Sequence, residues 1–174
     1  MFLPYTHKLL LKFCLEYVIG TRKGISNTKP IIGPYDVNRE GSSDMYSKGA
    51  NLLHTIRQIA DDDEKWRKTL RGLNKTFYHK TVTTAEIENF ISESLNIDLS
   101  SVFDQYLRDI RIPVLEYEIK DGFLKYRWNN VIENFKMPVK IIVDESFVEI
   151  NPTKKFKKIT FNSDELIIDK NYYV

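Results

Sequence analysis

Cysteine is nearly missing from this chain of 174 residues. Cys14 stands alone, so no internal disulfide forms, and the compartment stays open because many secreted proteins also lack disulfides. Histidine is scarce too: His7, His54 and His79. No two of them sit four apart on a helix, so there is no His-Glu-x-x-His pair. A lone cysteine and scattered histidines do not make a zinc site. Charge of one sign is not in excess. The balance of 26 basic against 24 acidic residues gives a net +2, with no global pull toward nucleic acid or an anionic membrane. Long apolar runs are absent. Leu9-Leu10-Leu11 is broken by Lys8, Lys12 and Glu16 at four-residue spacing, the polar stripe of an amphipathic helix and not a signal peptide. No segment approaches the length of a membrane span. There is no Gly-x-Ser-x-Gly elbow, and Gly20, Gly24 and Gly33 have the wrong spacing for a phosphate-cradling loop.

What is present is enough apolar material for a packed core, with 42% hydrophobic and 13% aromatic residues. The first part reads as helices. Helix one is expected over Thr6 to Gly20, with Leu10, Phe13, Tyr17 and Val18 on one face. A loop from Gly24 to Gly41 follows, punctuated by Pro30, Gly33 and Pro34. Helix two opens at the capping residues Ser42-Ser43-Asp44 and continues through Ala50, Leu53, Ile56 and Ile59. Asp61-Asp62-Asp63 ends it and starts helix three, with Trp66, Leu70, Leu73 and Phe77 on one side. Thr83-Thr84-Ala85-Glu86 is a capping box opening helix four, whose stripe is Ile87, Phe90, Ile91 and Leu95. Helix five, about Leu99 to Ile110, buries Val102, Phe103, Tyr106 and Leu107.

Pro113 then breaks the helical pattern and alternation takes over. Leu115-Tyr117-Ile119 and Phe123-Tyr126-Trp128 flank Asp121-Gly122, a strong hairpin signal. Further strands are expected at Val139–Val143, Phe147–Ile150, Phe156–Phe161 and Leu166–Ile168. The reading is α+β: a helical bundle over residues 1–112 and a small antiparallel β-sandwich over 113–174.

Most residues that could carry chemistry have ordinary uses. Cys14 reads as a small buried hydrophobe among leucines. The acidic run Asp61–Glu64 serves a helix dipole. The basic run Lys154–Lys158 reads as a sheet edge protected by lysines. A nucleic-acid binder needs a wider basic face than this chain offers, so nucleic acid is not an expected partner. One segment is left, Gly41 to Ala50. It places Tyr46 in the first turn of a helix after a glycine-bearing loop, with Gly49 and Ala50 allowing close packing. A phenol there can donate a hydrogen bond to a developing oxyanion. A capped helix with a buried tyrosine is the commoner use of such a pattern.

Asp44-Met45-Tyr46-Ser47-Lys48-Gly49-Ala50 resembles the Tyr-x-Lys-Gly-Ala segment of the aminopeptidase N-like zinc metallopeptidases, the gluzincin aminopeptidases. Lys29 to Asn38 resembles the loop before that helix. Leu52 to Arg57 and Asp63 to Trp66 resemble its continuation. Thr83 to Leu99 and then Phe103 to Leu107 resemble the close of the peptidase domain, and Pro113 onward the β-sandwich that follows.

The resemblance implies zinc-dependent release of N-terminal residues from peptides, with Tyr46 stabilising the tetrahedral intermediate. The family's zinc ligands and general base have no counterpart in this sequence and would lie upstream of Met1. The segment holding the substrate amine would also lie upstream. Where some members carry a second tyrosine, this chain has Gly41. The expectation is therefore a C-terminal fragment, Tyr46 its one catalytic position, with no cofactor of its own and zinc only in the complete enzyme. The alternative is a non-catalytic protein-interaction module on the same scaffold. Alone, the chain is expected to bind no catalytic zinc and hydrolyse no peptide. Peptide substrate would need the upstream half, and self-association through an exposed helical face is a further expectation. No membrane partner is expected, and localisation stays open.

Overall fold

The computed structural model describes residues 16–33, 42–143 and 145–174. Cys14, His7, Gly41 and most of the expected first helix lie outside them. The end of that helix, α1, is seen as residues 16–20 and runs into a 3-10 turn, Thr21–Gly24. Helix α2 spans Asp44–Ala60, α3 Asp63–Phe77 and α4 Thr84–Leu95. The short α5, Ser100–Phe103, passes into one π-helical turn, Asp104–Arg108.

Local chemistry sets these bounds. Asp61 closes α2 in the left-handed conformation, which a short polar side chain tolerates. Asp62 then caps α3 by accepting from the Lys65 amide at 2.9 Å. The capping box of α4 forms in full: the Glu86 amide donates to the Thr83 hydroxyl, and the Thr83 amide donates to the Glu86 carboxylate at 2.7 Å. The expected Ser42-Ser43-Asp44 cap works differently. Neither serine caps the first turn by side chain in the usual way; the Ser42 hydroxyl accepts from the Asp44 amide at 3.2 Å.

Six strands follow: β1 Val114–Lys120, β2 Phe123–Asn129, β3 Val139–Val143, β4 Ser146–Ile150, β5 Lys157–Thr160 and β6 Ile167–Ile168. They form two antiparallel three-stranded sheets, ordered β1-β2-β5 and β4-β3-β6. The β1–β2 hairpin turns on Asp121 and Gly122, with φ of 52° and 76°. Positive φ at both central residues is the geometry of a type I′ turn, whose twist matches the strands. Leu115 then pairs with Trp128 and Ile119 with Leu124 on the face turned inward, where Trp128 and Leu124 are fully buried. The fold is α+β with no closed barrel.

One continuous apolar cluster joins helices and sheets. Leu52, Ile56, Leu95, Leu99, Val102, Phe103 and Tyr106 meet Leu124, Trp128, Phe135, Met137 and Ile141 in it. Each aliphatic or aromatic side chain so buried contributes roughly 1.5–3 kcal/mol. Two expected stripes have a different phase. On α2 the buried apolar residues are Leu52, Ile56 and Ile59, while Ala50 and Leu53 face outward. On α3, Thr69 is buried and Leu70 is exposed. Tyr17 on α1 is exposed as well. Among the described residues no helix is long and apolar enough to cross a membrane.

Candidate functional site

Helix α2 positions Tyr46, and two faces of that helix decide where it points. The inward face is polar for much of its length. Asp44, Lys48, Asn51 and Thr55 follow one another at helical spacing, and all four are buried. Each is held by named partners. The Asp44 carboxylate accepts from the amides of Ser26 at 3.0 Å and Asn27 at 2.7 Å, and from the Ser26 hydroxyl. Burial alone would raise its pKa. These hydrogen bonds, which favour the charged form, outweigh burial and hold it below the usual carboxylate range.

Lys48 is fully buried, and its ammonium donates to the carbonyl of Asp109 at 2.9 Å. Desolvation lowers its pKa, opposed by the charges of Asp44 and Asp109. Asp109 is itself clasped by Arg111, which also donates to the carbonyl of Val131. Asn51 accepts from Arg22 Nε at 2.6 Å and presents its amide to the carbonyls of Val18 and Ser47 and to the Thr21 hydroxyl. The Thr55 hydroxyl donates to the Asn51 carbonyl and accepts from the Tyr173 amide at 3.0 Å. Arg22 also donates to the carbonyl of Lys170 and lies over the Tyr173 ring. The Tyr106 hydroxyl donates to the Tyr173 carbonyl. The inward face thus ties α2 to the loop after α1, to the π turn and to residues 169–174.

The outward face carries Tyr46, Ala50 and Leu53, flanked by Met45 and Gly49. Tyr46 is 75% exposed, so its ring is not a core side chain. Residues 46 and 48 are two apart on a helix, about 200° in azimuth, so burying Lys48 turns Tyr46 to the surface. Its hydroxyl has no hydrogen-bond partner among the described residues. No charged side chain stands on this strip between Tyr46 and Leu53; the charges of that stretch, Asp44 and Lys48, are on the other side.

The histidines that are described, which the sequence did not mark as site residues, stand elsewhere. His54 is half-buried on α2, with Nε2 3.3 Å from Asn171 Oδ1, and desolvation lowers its pKa. His79 is exposed in the turn after α3, with φ 55°, its ring against Tyr78. Among the described residues no group of three His, Cys, Asp or Glu side chains converges as a metal site. In the 154–158 run Lys154 pairs with Glu133 and Lys157 donates to the Asn151 carbonyl, while Lys158 stands over the Phe123 ring. The polar line 44-48-51-55 was missed by a reading that looked for apolar periodicity. Its signal was the same spacing written in Asp, Lys, Asn and Thr.

No family model matches the chain. Part of it is similar to aminopeptidase N of Lactococcus lactis subsp. lactis. The two are 29% identical over 83 residues, which is 48% of this chain and 10% of the length of that protein. This marks a partial and distant relationship to aminopeptidase N. The chain spans far less than the whole of that relative.

Proposed function

We propose that this chain is a C-terminal portion of a zinc-dependent aminopeptidase of the gluzincin type, inactive alone, whose contribution to catalysis is Tyr46. The observation that carries the reading is the division of α2. Buried Asp44 and Lys48 anchor the helix on one side, and on the other the exposed Tyr46 phenol has no hydrogen-bond partner among the described residues. A helix held in that way carries a phenol that can donate to charge that develops outside this chain. The partial similarity to aminopeptidase N supports the reaction class. No His, Cys, Asp or Glu side chains converge as a metal site among the described residues, and in this reading the metal, its ligands and the general base belong to an upstream half. The uncharged strip Tyr46–Ala50–Leu53 is the face toward which that half, or a second copy of the chain, would turn.

The test is reconstitution. The chain alone, given zinc, is expected to leave aminoacyl-anilide substrates intact. Sequencing upstream of Met1 is expected to find a frame encoding His-Glu-x-x-His. The polypeptide made from both parts is expected to be active, and Tyr46→Phe in it to lose about 10²–10³ in turnover with little change in KM. Zinc-dependent cleavage by the 174-residue chain alone would overturn the fragment reading.

A second reading, a non-catalytic interaction module, draws on the same uncharged strip. In that case an intergenic region precedes Met1, and Leu53→Lys abolishes partner binding while Tyr46→Phe does not.

A further inference from the structure

The outer face of the β1-β2-β5 sheet carries an arrangement that the core does not require. Strand register places Lys125 of β2 directly opposite Lys158 of β5 and, on its other side, opposite Glu118 of β1. Like charges facing each other across a strand pair are destabilising. Neither lysine is in an ion pair with a described residue. Each ammonium instead rests on an aromatic ring: Lys158 Nζ is 3.7 Å from the centroid of Phe123, and Lys125 Nζ is 4.4 Å from that of Phe156. Arg127 shares the Phe156 ring at 4.4 Å while paired with Glu116. Both rings are themselves about two-fifths exposed, at 38% and 42%. Beside them lies an open depression of about 300 Å³ lined by Glu118, Lys120, Asp121, Phe123, Lys125 and Lys158.

From this we infer that the outer face of this sheet docks an acidic polypeptide segment. Lysine side chains ordinarily lose much rotamer freedom on binding. Here each ammonium already rests on a phenylalanine ring, which narrows its rotamers, so less is lost when a carboxylate arrives. The two ammoniums lean toward opposite ends of the strands, Lys158 to Phe123 and Lys125 to Phe156, so successive carboxylates of one extended acidic segment, and not a single one, would meet them. The same geometry selects against single-stranded nucleic acid. Bases bind such proteins by stacking on aromatic faces, and here the faces are occupied by the cations. Carboxylates can reach the ammoniums as they stand. The charge is local: over the whole chain the excess is only +2, so the face is a specific patch and not part of a general polycation.

The experiment is fluorescence anisotropy of a labelled oligo-glutamate peptide titrated with the full chain at ~50 mM salt. Saturable binding is expected, weakening as salt rises. The double variant Lys125→Glu/Lys158→Glu is expected to weaken it at least about tenfold, because like charges then face each other. Lys68→Glu/Arg71→Glu, an equal change of charge on the exposed side of α3, is expected to change it less than about twofold. Phe123→Leu/Phe156→Leu is expected to weaken it too, by releasing the lysines. If the charge reversal disturbs the melt, Lys125→Gln/Lys158→Gln gives the same comparison without reversal. Absence of saturable binding overturns the inference, as does equal loss in the α3 control. So does tighter binding of an oligothymidylate of equal charge, since that would make the face a nucleic-acid platform.

Discussion

Replacing Asn51 by leucine removes the centre of the polar face of α2 while keeping the same number of side-chain heavy atoms in the same branched arrangement. Asn51 is fully buried and makes contacts of 2.6 Å to Arg22 Nε, 2.9 Å to the Ser47 carbonyl, 3.1 Å to the Thr21 hydroxyl and 3.2 Å to the Val18 carbonyl. A hydrogen bond to a charged donor contributes about 1.5–3 kcal/mol and a neutral one about 1 kcal/mol. Ser47 already belongs to the helix ladder, and Val18, Thr21 and Arg22 are half-buried, so water restores part of what they lose. The loss expected for Asn51→Leu is therefore about 3 kcal/mol. In urea, with a slope near ~3 kcal/mol/M, the midpoint falls by about 1 M. The melting temperature drops by about 6–12 °C for a chain of this size. Tyr46→Ala, five residues earlier but exposed, is the control and stays within about 0.5 kcal/mol. A loss below about 1 kcal/mol for Asn51→Leu at unchanged slope would refute the claim that this face anchors the helix.

The capping box gives a cleaner local test. Thr83→Ala removes the acceptor for the Glu86 amide at the start of α4, and urea denaturation is expected to show a loss of about 1 kcal/mol; Thr83→Ser should restore most of it. His54 gives a pH dependence. Its folded pKa lies below its ordinary value because burial disfavours the imidazolium, so the unfolded chain binds the extra proton first and stability falls as pH drops. The contribution is full above about pH 6.5 and is lost below it, toward the lowered folded value. Urea midpoints measured across that window should slope downward in acid for the native chain and flatten in His54→Gln. Asp44 also destabilises the fold in acid, but its pKa is a depressed carboxylate's, so its effect begins only below about pH 4 and leaves the His54 window clear. A His54→Gln profile as steep as the native one would assign the slope elsewhere.

The elements most legible in the sequence were those set by local chemistry. Thr83 and Glu86 satisfy each other's backbone within one turn, and Asp121-Gly122 needs only two positive φ values. Neither depends on a distant partner. The π-helical turn at Asp104–Arg108 was not legible. There Gln105 is buried between the Arg111 carbonyl, to which it donates, and the Ile132 amide, from which it accepts, and both partners lie beyond the helix. The phase of α2 was misread for a related reason. Ala50 and Leu53 fit an apolar stripe by residue type, but Asp44, Lys48, Asn51 and Thr55 have hydrogen-bond partners in the 18–27 segment, at Asp109 and in the 169–174 segment, and together they fix the rotation of the helix.

That rotation is what gives the candidate site its meaning. Tyr46 and Lys48 were read as members of one motif, and in the folded chain they face opposite ways. The lysine's part is to hold the helix, through the Asp109 carbonyl, in the orientation that presents the phenol. A buried ammonium is costly unless it is hydrogen-bonded, and an apolar residue could fill the same space at lower cost. What an apolar residue would lack is the directional bond to Asp109. A helix seated only by its apolar residues, Leu52, Ile56 and Ile59, is fixed at its C-terminal half and less so at its first turn. Asp44 and Lys48 supply polar anchors on both sides of Tyr46 in sequence, within the turn where the phenol sits.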